Sequence, residues 1–95
     1  MKHKVVILFA FTTNEKCLES FKSFVEENAE KIDMLHSKDM SITIGSTTYR
    51  FASFSSEKDF MKVCGYEFSA VIFEDIFEDN TRRYLLSRVR LRSFK

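Results

Sequence analysis

The chain has no proline and only two glycines, Gly45 and Gly65, among its 95 residues. With so little glycine, neither a GxxxxGK[ST] phosphate cradle nor a GxGxxG dinucleotide turn can be written anywhere in it. No proline-rich stretch, repeat or low-complexity run marks a linker, so a single domain over residues 1–95 is expected. Cysteine is scarce too: Cys17 and Cys64 sit in helix-like segments, without CxxC or Cys/His ligand spacing. They read as reduced, half-buried apolar fillers of a cytosolic protein, not as a disulfide, a metal site or a nucleophile. Net charge is nearly absent, fifteen basic residues against fourteen acidic giving +1, which argues for neither a nucleic-acid glove nor an acidic decoy. The apolar run Val5–Phe11 is seven residues long, too short to span a bilayer and followed by no small-residue cleavage site. A cytoplasmic protein with no membrane contact is the expectation.

What is present is a generous core. Hydrophobic residues make up 44% of the chain and eleven of them are Phe, enough at this size to bury roughly 60–68% of the unfolded surface. Val5–Phe11 is continuously apolar and predicts a central buried strand, ended by Thr12 and Thr13. Asn14 is placed to cap a helix running to Ile32, because Leu18, Phe21, Val25, Ala29 and Ile32 share one face and Glu19, Lys22, Glu26 and Glu30 the other. A polar connection carrying His36, Ser37, Lys38 and Asp39 follows. Ser41–Ile44 and Thr47–Phe54 then flank Gly45-Ser46, a pair suited to a type II′ hairpin turn. Ser56 and Asp59 make a capping-box variant for a short helix through Phe60 and Val63, with Gly65 as its left-handed C-cap. Ala70-Val71-Ile72-Phe73 has no polar alternation and predicts a strand covered on both faces. Asp79 or Asn80 caps a last helix through Tyr84, Leu85 and Leu86. Arg88-Val89-Arg90-Leu91-Arg92 alternates as a final strand would, although Leu85 and Val89 also fit a continuing helix.

The order β-α-β-β-α-β-α, with or without the last strand, predicts an α/β single-domain sheet. Two arrangements use it. Parallel long strands give a Rossmann-like or P-loop-like half core; an antiparallel sheet gives the ferredoxin-like α+β fold.

The chemistry-bearing residues gather late in the chain. Glu74 and Asp75 end an apolar strand, the place where open α/β sheets bind ligands, and a magnesium ion is the cofactor such a pair would take. For a magnesium-dependent hydrolase a further group, such as Asp39 or His36, must converge on Glu74. Otherwise the pair is a solvated acidic turn, and His3 and His36 are surface residues. Arg82, Arg83, Arg88, Arg90 and Arg92 fall within eleven residues, more than helix capping needs. They point to phosphate or carboxylate contacts with a nucleic acid or a protein, or to a charged face paired with Glu74, Glu78 and Asp79. Tyr49-Arg50-Phe51-Ala52-Ser53-Phe54-Ser55 resembles the aromatic RNA-contacting strand of an RRM, without the glycine after its basic residue.

Read together, several segments resemble the ATPase core of the large terminase subunit, the phage motor that packages DNA. The matching pieces are Val5–Phe11, Asn14–Ile32, the hairpin Ile42-Thr43-Ile44-Gly45-Ser46-Thr47-Thr48-Tyr49-Arg50-Phe51, Ser56–Cys64, Gly65, and Val71-Ile72-Phe73-Glu74-Asp75 in the Walker B place. Arg83-Tyr84-Leu85-Leu86-Ser87-Arg88 is similar to the helix and arginine that trail that motif. The likeness spans about four fifths of the chain. It departs from the family twice: the Walker A loop that precedes the first strand is missing, and the acidic pair is Glu-Asp where Asp-Glu or Asp-Asp is common. Without that loop no lysine reaches the β- and γ-phosphates and no hydroxyl reaches magnesium. The resemblance therefore implies a phage-type binding or regulatory protein built on a truncated motor core. A nucleic-acid-binding module and a residual magnesium-dependent hydrolase are its rivals.

Overall fold

Alternation along the first strand decides the architecture. In the computed structural model, which describes residues 5–63 and 67–89, Val5–Phe11 forms β1. Val6, Leu8 and Ala10 go to one core and Phe9 and Phe11 to another, so a strand with no polar residue separates two apolar layers. β1 lies between β4 (Thr47–Ser53) and β5 (Ala70–Phe73) and runs parallel to both, with Phe9 beside Phe51 on one side and Ile72 on the other. β3 (Ser41–Ile44) pairs antiparallel with β4, and β2 (Met34–His36) antiparallel with β3. The five-stranded sheet has the order β2-β3-β4-β1-β5. It is an open, mixed α/β sheet, and the parallel pairing of β1 rules out the all-antiparallel ferredoxin-like alternative.

α1 (Asn14–Glu27) covers one face, burying Cys17 and Phe21 against Phe11, Ile42 and Phe51. The other face carries a 3₁₀ helix, Glu57–Val63, and α2 (Asp79–Ser87), which contribute Val63 and Leu85 to a core with Leu8, Ala52, Phe54, Phe68 and Phe77. The hairpin turn is as the sequence predicts: Gly45 has φ +62°, a conformation that costs other residues strain.

Several local expectations change. Thr13, not Asn14, caps α1, its hydroxyl accepting from the Lys16 N–H. The helix stops five residues before Ile32, at the C-cap Asn28, whose backbone N–H and side-chain amide both donate to the Phe24 carbonyl, although Ile32 still packs on the core. The polar connection contains the exposed edge strand β2, too short to show a period. The short second helix is 3₁₀, and Asp59 accepts from the Ser55 N–H and hydroxyl as well as the Ser56 N–H. Glu78, not Asp79 or Asn80, is the N-cap of α2 and its side chain makes no capping bond. Among the described residues β5 is the outermost strand on its side of the sheet, with one face partly open, and Ile72 is 39% exposed. Val89 bridges Phe68 in parallel fashion, while Cys64, Gly65, Arg90 and Arg92 lie outside the described residues.

Candidate functional site at the carboxyl edge of the parallel strands

The chain leaves β1 through Thr12 and Thr13 and enters α1 at once, so the first turn of the helix sits above the end of β5. The Glu74 N–H donates to the Ala10 carbonyl at 3.0 Å, extending the β1–β5 ladder one step. That step delivers Asp75 to the loop. One carboxylate oxygen, Oδ2, accepts from the Thr12 N–H at 2.7 Å and the Thr12 hydroxyl at 3.0 Å. The other, Oδ1, accepts from Lys16 Nζ at 3.0 Å. A negative charge there also suits the positive end of the α1 dipole.

The bond from the Thr12 N–H, followed by the Lys16 ammonium, holds the Asp75 carboxyl below its ordinary pKa. At Asp59, burial pushes the pKa up, but the Ser55 N–H and hydroxyl and the Lys62 ammonium outweigh it and the net shift is downward. Lys62 also donates to the Ser53 carbonyl at 2.8 Å, tying the 3₁₀ helix to the end of β4. Burial pushes the Cys17 thiol up to about 11 against a smaller opposing pull from Lys62, so at neutral pH it stays protonated and unreactive.

Lowered carboxyl pKa values fix the sign of an acid effect. The stabilisation is fully present above the unfolded aspartate value of about 3.9 and drains as pH falls from there through the lower native value. Asp75→Asn is therefore expected to lower the melting temperature at neutral pH, and the gap from wild type should close in acid. Thermal denaturation across that range checks it; a gap independent of pH would deny the ionised carboxylate its role.

The other expected site residues disperse. Glu74 is exposed, and Asp39 and His36 lie by β2 at the opposite edge of the sheet, about 19 Å away across four strand spacings. They do not converge on Glu74, and among the described residues no group of three His, Cys, Asp or Glu is placed to hold a metal ion. α2 runs back along β5. The Arg88 carbonyl consequently accepts from the Phe68 N–H at 2.9 Å, before that strand begins, some 20 Å from the acidic edge. Arg82 sets its guanidinium 5.6 Å from the Phe73 ring centroid, a cation–π contact. Arg82 and Arg83 are exposed. Among the described residues, Arg82 thus lies over the residue before Glu74, while the Arg88 backbone lies beside the start of β5.

Sequence reasoning missed Thr12 and Lys16, whose only signal was their place at the end of an apolar strand whose parallel neighbour was unknown. It also missed Ile76, which is 98% exposed beside the acidic pair. Ile76 stands at a cleft of about 410 Å³ lined by Thr12, Ser55, Ser56, Phe60 and Asn80. Compared with known proteins, the chain matches no family model, no curated sequence and no solved structure. No helix among the described residues is long and apolar enough to cross a membrane.

Proposed function

We propose that the chain works by contact, using a motor-ATPase-like core that does not hydrolyse nucleotide, and that its partner is a protein met at the carboxyl edge of β1, β4 and β5. One observation carries this reading: Asp75 spends its carboxylate on Thr12 and Lys16, while the neighbouring Ile76 is left almost wholly in water. An exposed large apolar residue beside a concave, hydroxyl-lined cleft suits a protein contact centre rimmed by polar groups. Glu74 and Glu78, exposed on the same edge, disfavour a polyanion there.

The test is a photo-crosslinking residue at position 76 of the full chain in the cell that makes it. A discrete protein adduct is expected, absent when the same residue replaces exposed Lys58. No adduct, or one with nucleic acid, contradicts the reading.

Nucleic-acid binding is the second reading, favoured by exposed Arg82 and Arg83 on α2. It requires saturable binding of a labelled oligonucleotide, a steep linear fall of log affinity with log salt, and a loss on Arg82→Ala with Arg83→Ala. On the protein-contact reading that double variant leaves the position-76 adduct in place. Its melting temperature should hardly move, since exposed charges contribute only about 0–1 kcal/mol each.

A further inference from the structure

α1 packs over β4 and β1, and a groove of about 440 Å³ opens between the helix, β1 and the Glu74–Asp75 loop that follows β5. Its floor is aromatic: Phe9 and Phe24 are half-buried there, their ring centroids 6.2 Å apart. Ile72, beside Phe9 in register and therefore on the same face, adds exposed apolar surface. The rim is acidic. Glu19 and Glu27 come from two turns of α1 and Glu74 from the end of β5, all exposed. The one lysine lining the groove, Lys16, is already neutralised by Asp75. Ring faces below and carboxylates around them both attract a cation carried on an apolar stem.

We propose that this groove docks a basic, apolar peptide segment of a partner protein, with an arginine or lysine side chain lying over Phe9 and Phe24 and its charge met by Glu19, Glu27 and Glu74. Like charge excludes a nucleic acid from this face. The proposal rests on the reading that the chain acts by contact; the groove adjoins the carboxyl edge through Glu74 and Asp75 but is not lined by Ile76.

The probe is a fluorescein-labelled peptide of alternating leucine and arginine, with an alternating leucine–glutamate peptide as control, titrated into the full chain. Saturable binding of the arginine probe is expected, weakened at least about tenfold by Glu19→Lys with Glu27→Lys, and unaltered by Ile76→Asp. Both glutamates are exposed on α1 and lie outside the core, so the double variant should keep the wild-type melting temperature. Equal binding of the glutamate peptide, or wild-type affinity in the folded double variant, overturns the proposal. Self-association in sedimentation that the same double variant abolishes also overturns it, assigning the groove to a second copy of this chain. Loss of the position-76 adduct with the peptide titration intact would instead count against the carboxyl-edge contact alone.

Discussion

Replacing Phe51 with Ala is expected to destabilise the protein by about 3–5 kcal/mol, the cost of a large buried ring lost into a cavity that cannot collapse. Phe51 is 3% exposed and stands at the middle of the aromatic layer under α1. Its ring centroid lies 4.9 Å from that of Phe9, 5.5 Å from Phe24 and 5.6 Å from Phe21, stacked on the first and edge-on to the other two. No other ring in this layer touches both central strands and the helix so closely, and such pairs add to the area term. Phe21→Ala removes only the helix side of the same cluster and should fall at the lower end of that range. Against a total stability of about 5–15 kcal/mol, either change brings the domain near unfolding. Chemical denaturation checks this, and an unchanged midpoint for Phe51→Ala would mean that the α1 layer does not hold the sheet.

Leu85→Ala should cost about 2–5 kcal/mol by the same mechanism on the opposite face. Leu85 is the one buried residue of α2, fully enclosed among Leu8, Phe68 and Phe77. Beside it Tyr84 stacks on Phe60 with centroids 4.2 Å apart. Those two contacts hold the arginine-bearing helix along β5, and without the leucine the helix should open locally before the sheet does. Amide hydrogen exchange separates the two outcomes: protection should fall first in α2, whereas uniform loss through β1 and β4 would show that the helix and sheet unfold as one.

The strands that alternate or run apolar were legible because a single residue period reports burial. Val5–Phe11 could be read as central from its composition, and Gly45-Ser46 as a hairpin from its turn chemistry. The fate of β5 was not legible. Ala70–Phe73 looks as apolar as β1, but apolar composition does not say how fully each face is covered, and here Ile72 is 39% exposed. β2 escaped notice because three residues cannot display a period and all three are exposed. The sequence stripe runs past the end of α1 because Ala29 and Ile32 continue its apolar spacing, whereas the helix ends at the Asn28 cap, which no spacing reports. At the strand end, Glu74 and Asp75 follow β5 as the apolar run implies, but the partner of Asp75 is Thr12, 63 residues away in sequence, which only the parallel register supplies. Arginine spacing likewise does not report where the chain runs: the return of α2 along β5 sets Arg82 over Phe73 and the Arg88 backbone beside Phe68.

Whether the acidic strand end serves contact or catalysis is decided most directly by phosphate release from ATP and GTP with magnesium, measured on the full chain and on Glu74→Gln. With no phosphate-binding loop in the sequence and Asp75 committed to Thr12 and Lys16, both proteins should release no phosphate above the rate without protein. Turnover by the wild-type chain that Glu74→Gln abolishes would contradict a role in binding alone and make Glu74 a catalytic residue.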